Sequence, residues 1–248
     1  MLHQITRVRH DLRRRRLAVC RREQVTPNML RLVLTGDDLI NFDSPAADDH
    51  VKLFVANGEG IEIGRNYTPR RYDLGAGELT IDFALHDAGP ATNWARNAQP
   101  GDVAEIGGPR GSVIVPDDFD WWLLVGDETA LPAIGRRIEE FGPGRRAISV
   151  VTVTGQQEIQ TFNTAAEHLA VWVERPAERA DDPALLLDAL RALTLPTGEG
   201  FIWIAAEANV ARVVRNFALE ELEHFPQWMR ASGYWIKGSA GADEKFES

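Results

Sequence analysis

Between His50 and Val55 apolar and polar residues alternate, with Val51, Leu53 and Val55 on one face and His50, Lys52 and Phe54 on the other. Such alternation predicts a half-buried strand. Leu79, Ile81, Phe83 and Leu85 repeat the pattern against Thr80, Asp82, Ala84 and His86. Strand character also runs through Leu17-Ala18-Val19 and, after a turn at Thr26-Pro27-Asn28, through Met29 to Leu34, where Gly36-Asp37-Asp38 ends it. Residues 1–11 read as a loose basic lead-in, and Arg13 to Arg16 as a solvated strand edge. Several short strands, each ended by Gly, Pro or Asp, predict an antiparallel barrel over residues 12–117.

One helix interrupts that rhythm. Gly89-Pro90 suits a helix start, with glycine as cap and proline at the first helical position, and Trp94 is either its plug into the core or part of a ligand site. From Trp121 the pattern changes. Trp121 to Val125 is continuously apolar, as in a strand buried on both faces. Leu131, Ile134, Ile138 and Phe141 then recur at helical spacing up to Gly142-Pro143-Gly144. Strands at Ala147–Val153, Leu169–Val173 and Phe201–Ala205 alternate with helices at Pro183–Leu193 and from Asn209 to about Glu223. The helix from Asn209 is expected to bury Val210, Val213, Val214 and Phe217. This alternation predicts a parallel sheet with helices on its faces. The expected division is therefore 1–118 for the barrel and 119–248 for the α/β domain.

Composition narrows the chemistry. A formal net charge of −10 argues against a general nucleic-acid surface, so an anionic ligand needs a local basic pocket. Cys20 is the single cysteine, which excludes an intrachain disulfide, a four-cysteine iron–sulfur cluster and a cysteine-rich zinc site. Apolar runs are too short to span a bilayer, and Leu17 to Cys20 has no hydrophobic stretch before it, so the expectation is a cytoplasmic protein without membrane insertion.

Arg65-Asn66-Tyr67-Thr68-Pro69-Arg70-Arg71-Tyr72 gathers aromatic rings, a hydroxyl and three guanidinium groups. In an extended segment Arg65, Tyr67 and Pro69 share one face, and Asn66, Thr68 and Arg70 the other. A planar ring system carrying phosphate fits this set, as does an edge strand with solvated arginines. The start of the Pro90 helix, with Gly89, Ala91 and the Thr92 hydroxyl, suits a pyrophosphate. Gly107 to Ser112 is dense enough in glycine for a tight bend or a close approach to a ligand. Asp127 and Glu128 would repel a pyrophosphate; their other reading is that they complement a helix dipole while Thr129 caps the helix. Residues beyond Gly238 read as a disordered acidic end.

Arg-x-Tyr-Thr followed by Pro-Arg-Arg-Tyr-Asp resembles the flavin-contact motif of the siderophore-interacting protein family, within the ferredoxin-NADP reductase superfamily. His86 to Ala95 is similar to that family's second flavin segment, with Thr92 where serine is common, and Gly108 to Ser112 to its segment on the substrate side of the flavin. Gly126-Asp127-Glu128-Thr129-Ala130-Leu131-Pro132-Ala133-Ile134 resembles the run that opens its nicotinamide-nucleotide domain. Ala206-Glu207-Ala208 is similar to a second nucleotide-side turn where Gly-Glu is commoner, and Ala231 to Gly238 to the family's ending.

The resemblance implies a flavin-binding β-barrel followed by an α/β nicotinamide-nucleotide domain. It implies FAD contacts from Arg65, Tyr67, Thr68, Arg70, His86, Gly89, Pro90, Ala91, Thr92 and Trp94. Contacts to NADPH or NADH are implied for Gly126, Asp127, Glu128, Thr129, Ala130 and Glu207, with Arg175 a candidate for a 2′-phosphate. Lys52, Arg110 and Lys237 become candidates for an anionic ferric siderophore, and no side chain need act as acid or base. The expected activity is an NAD(P)H-dependent, FAD-containing ferric-siderophore reductase. A reductase of free flavins or general acceptors, and a non-catalytic ferric-chelate-binding protein, are the alternatives.

Overall fold

The computed structural model describes residues 3–56, 59–85, 89–239 and 241–246. The chain divides into two compact units, one of residues 1–116 with Gly135–Arg137, the other of residues 117–134 and 138–248.

In the first unit the strands are β1 (Thr6–Arg9), β2 (Arg14–Thr26), β3 (Met29–Thr35), β4 (Val51–Ala56), β5 (Glu62–Tyr67), β6 (Pro69–Asp73), β7 (Glu78–Ala84), β8 (Val103–Gly107) and β9 (Gly111–Ile114), with helix α1 (Pro90–Asn97) between β7 and β8. Seven of them form an antiparallel half-barrel in the order β5-β4-β8-β2-β3-β7-β6. The alternating residues decide which face turns inward: Val51, Leu53, Leu79, Ile81 and Phe83 are fully buried with Leu30, Leu32 and Leu34. Helix α1 adds Ala91 and Ala95 to this core, and Trp94 packs on it beside Phe83, ring centroids 6.2 Å apart.

Two expectations for the N-terminal region are corrected. Residues 6–9 form β1, paired with β9 from Thr6↔Ile114 to Arg9↔Gly111. Backbone pairing needs no apolar pattern, which is why sequence periodicity did not reveal it. The arginine run is not wholly a solvated edge. Strand β2 lies between β8 and β3, and Arg15 is buried, donating to the Gly108 carbonyl at 3.0 Å with its guanidinium over the Phe42 ring. Strand alternation turned one cation of four inward, where carbonyl oxygens receive it.

In the second unit β10 (Trp121–Gly126), β11 (Arg146–Val153), β12 (Glu167–Glu174), β13 (Gly200–Glu207) and β14 (Met229–Trp235) run parallel, in the order β12-β11-β10-β13-β14. Helices α2 (Leu131–Glu140), α3 (Ala184–Arg191) and α4 (Ala208–Glu220) connect them. Strand β10 is buried along its whole length in the middle of the sheet, as a continuous apolar run requires. Trp121, Leu123 and Val125 pack with α3 and α4 on one face, and Trp122 meets Phe141 and Phe201 on the other. Within α4 the buried positions include Val210, Ala211, Val214, Phe217 and Ala218, while Val213 is only half-buried.

The end of the chain is also corrected. Glu244–Lys245 form β15, antiparallel to β14, and Arg212 pairs with Glu244. A short polar segment adds to a sheet edge through its backbone, a signal that composition does not carry. No helix among the described residues is long and apolar enough to cross a membrane.

Phe83 bears much of the first core, with Tyr67 at 4.5 Å and Trp94 beyond it. Phe83→Ala is expected to cost about 3–5 kcal/mol, measured as a lower urea midpoint at an unchanged slope.

Candidate functional site

The motif Arg65 to Tyr72 spans the end of β5 and the start of β6, the two outer strands of the seven-stranded sheet. Strand β5 pairs with β4 and β6 with β7, so the chain changes partner at Thr68, and the β6–β7 register shifts between Pro69 and Arg71. This overturns simple alternation through the motif: Thr68, Pro69 and Arg70 are buried in succession. A bend at a change of partner and a bulge each reset which side a residue faces.

The structure brings Tyr67 and Thr92 together. Tyr67 leans on Phe83, and its hydroxyl is hydrogen-bonded to Thr92; burial pushes its pKa up to about 12, so it stays a neutral phenol. Thr92 lies in the first turn of α1, whose N–H groups have no partners inside the helix. Gly89 caps that helix without a side-chain bond, and a Cβ there would meet none of the described residues within 4 Å, so these leave the approach to the helix start open. Arg65 is half-buried and donates to the Gly64 carbonyl at 3.0 Å. Arg70 is buried 3.8 Å from Asp82, whose carboxylate is also gripped by Arg31 at 2.7 and 2.8 Å. Of the two arginines, Arg65 is therefore the one less committed to the protein itself. An aromatic ring, a hydroxyl, a cation and an open helix start form a donor set that fits a phosphate-bearing flavin. His86 lies outside the described residues.

Lys52 is exposed on β4, opposite Asn66 on one side and Gly107 on the other. Arg110 is exposed three residues beyond Gly107, and its carbonyl accepts from His10 N at 3.1 Å.

In the second unit the candidates sit at the carboxyl ends of β10 and β13. A Cβ on Gly126 would stand 2.6 Å from Ala130 Cβ and 2.7 Å from the Ala205 carbonyl oxygen, so only glycine permits this packing. Asp127 is buried. Its Oδ1 accepts from Thr129 N at 2.9 Å and Thr129 Oγ1 at 2.6 Å, and its Oδ2 from Glu207 N at 2.8 Å and Trp235 Nε1 at 2.9 Å. Glu207 is buried too, and its carboxylate accepts from Asn209 N, Val210 N and Lys237 N, capping α4. Glu128 pairs with Arg175 at 2.8 Å; burial, and then Asp127, push its carboxyl above the usual range against the pull of that arginine.

These acids thus hold the turns together: Glu128 is paired with the Arg175 cation, while Asp127 and Glu207 are turned inward onto neutral donors. Thr129 spends its hydroxyl on Asp127, and α2 starts after Ala130 with no side-chain cap. Arg175 is buried on Glu128, with no hydrogen-bond partner for Nη1 among the described residues. The Lys237 ammonium is held by Asp181 at 2.6 Å and by the Glu178 carbonyl.

One polar cluster carried no signal in the sequence. Asp49 Oδ2 accepts from Ser112 Oγ at 2.7 Å, Ser44 Oγ at 3.0 Å and Ala46 N at 3.1 Å, and His10 Nε2 lies 2.8 Å from Ser112 Oγ. Serine stands between histidine and aspartate and is itself buried, so this trio holds loops and offers no nucleophile.

Comparison with known proteins covers both units. The Siderophore-interacting protein model matches residues 119–238, and the Siderophore-interacting FAD-binding domain model matches 18–62 and 57–113. The chain is 35% identical over 251 residues to the NADPH-dependent ferric-chelate reductase of Escherichia coli, covering 92% of this chain and 95% of that one. It is 28% identical to the ferric vibriobactin reductase of Vibrio cholerae, with coverages of 94% and 96%. The crystal structure of a siderophore utilization protein from T. fusca superposes with a TM-score of 0.90 at 33% identity, over 97% of this chain and 99% of that one.

Two buried aspartates are expected to respond differently to amidation. Both Asp127 oxygens accept from donors, so Asp127→Asn sets an N–H against an N–H and should cost about 1–3 kcal/mol, read by urea unfolding together with a shift in tryptophan emission. Asp49 receives all three bonds on one oxygen, which an asparagine carbonyl can replace. Burial raises the Asp49 carboxyl, so the folded protein keeps that proton to higher pH than the unfolded chain. Its contribution is full below the ordinary value of about 4 and is lost as pH rises through the raised one. Asp49→Asn should therefore fold and remove this decline from the pH profile of the urea midpoint.

Proposed function

The chain belongs to the siderophore-interacting protein family, and from that membership we propose that it is an NAD(P)H-dependent, FAD-containing ferric-siderophore reductase. The observation that carries this reading is the family match through both units, with Arg65, Tyr67, Thr68 and Thr92 falling inside the matched FAD-binding segments. The two-unit architecture is that of ferredoxin-NADP-reductase-like proteins.

FAD, when bound, supplies the step from a two-electron hydride donor to one-electron acceptors. Overall, one NAD(P)H reduces two ferric ions to ferrous and releases one proton. The protein's part is to bind and orient. Arg65 and the start of α1 would hold the phosphates, Tyr67 the ring system, and Thr68 a ring edge. Residues 1–118 act as the flavin domain and 119–248 as the nucleotide domain, with the turns at Gly126–Ala130 and Glu207 presenting backbone to the nucleotide. The ferric siderophore is the substrate, and the reaction belongs in the cytoplasm, where NAD(P)H is available.

Lys52 is the leading candidate to receive an anionic ferric chelate, because it is exposed and stands level with Gly107. Arg110, also exposed, follows Gly107 by three residues. Lys237 is the weaker candidate, since Asp181 already neutralises its charge.

The deciding experiment is an anaerobic visible spectrum with FAD, taken before and after NADPH or NADH, and again after a ferric siderophore with a ferrous trap. Bleaching, then reoxidation with trapped ferrous iron, is the expected result. Failure to bind flavin would favour a chelate-binding protein, and bleaching without reoxidation a general flavin reductase. Lys52→Ala should raise KM for an anionic ferric chelate several-fold, by roughly the worth of one exposed charge contact, with flavin content unchanged.

A further inference from the structure

Strand β4 has a glycine beside it on each neighbour. Its register sets Phe54 opposite Gly64 of β5 and Lys52 opposite Gly107 of β8. A Cβ on Gly64 would fall 2.5 Å from Lys52 Cδ, 2.7 Å from Lys52 Cγ and 3.3 Å from Phe54 Cε1. One on Gly107 would fall 3.0 Å from Phe54 Cε2. The lysine stem therefore lies down across Gly64, and the phenyl ring reaches over Gly107. Arg14 covers that ring, its guanidinium carbon 3.8 Å from the centroid, and is itself paired with Glu62 and Glu105. Glycine inside a strand marks a close approach, and here what approaches is the stem of an exposed cation.

We propose that Gly64 is a positioning residue for Lys52, a specificity device for anionic ferric chelates. This rests on the reading of Lys52 as a substrate contact. A free lysine has many rotamers to lose when it grips a ligand, whereas a stem already lying along the sheet beside Phe54 presents its ammonium at one place. Any side chain at position 64 lifts that stem. The obstacle a methyl group meets is mainly the flexible methylenes of Lys52, so the backbone can stay while Lys52 gives way.

The test uses the flavin-loaded protein as Gly64→Ala, Lys52→Ala and the double variant. Two quantities are measured: KM for a ferric tris-catecholate, and Kd for the gallium(III) tris-catecholate, which has the same charge and resists reduction. Gly64→Ala should raise both roughly threefold, the scale of an exposed charge contact. Flavin content and kcat with neutral ferric tris-maltolate should not change. In the Lys52→Ala background the same substitution should add nothing. An equal loss there would show that the effect bypasses Lys52 and overturn the inference. Should Lys52→Ala weaken the chelate while Gly64→Ala is silent, the inference alone falls. A silent Lys52→Ala removes the substrate-contact reading and the inference with it.

Discussion

A carboxylate taken out of water must be met by donors, and Asp127 meets that demand with four. They come from its own turn, from the last residue of β13 and from the indole at the end of β14. Three segments distant in sequence are thereby held at the carboxyl ends of adjoining strands, where parallel sheets bind ligands. Glu207 extends the arrangement by capping α4 and holding the backbone of Lys237. With its four donors at different backbone, hydroxyl and ring positions, Asp127 fixes the geometry of these turns.

The acidity of the chain is unevenly divided between the units. The first unit has seventeen lysines and arginines against fifteen acids, the second ten against twenty-two. In the second unit Asp127 and Glu207 turn inward onto neutral donors, while other acids form surface ion pairs such as Arg191–Glu221 and Lys237–Asp181. In the first unit three buried charges have protein partners. Arg15 reaches carbonyl oxygens, Asp82 lies under two guanidinium groups, and Asp49 is wrapped by two hydroxyls and an amide. Lys52 stands apart from these pairings on an exposed face, which suits it to an incoming anion.

The edge of the half-barrel shows how the Arg65–Tyr72 segment takes its shape from ordinary strand physics. At Thr68 the chain leaves β4 for β7, and this change of partner turns three consecutive residues inward. Tyr67, just before the bend, can then rest on Phe83 and meet Thr92 of α1. An aromatic side chain, a helix start and an arginine converge there because the sheet ends there.

Alternation in Val51–Val55 and Leu79–Phe83, the apolar run at Trp121–Val125 and the Gly89-Pro90 helix start were legible from the amino acids, and so was the succession of strands and helices that follows Trp121. Each is a one-residue preference for burial or backbone angle, repeated with a local period. The motifs carried the family resemblance, which the comparisons bear out. They did not tell which way Asp127, Glu207, Arg15 and Arg175 turn, nor that Ser112 and His10 meet beside Asp49, nor that Gly64 underlies Lys52. Those are pairings between residues up to about a hundred positions apart, and a polar side chain has the same composition whether water or a buried donor satisfies it. Only closing the sheets, which brings donor and acceptor together, decides between the two.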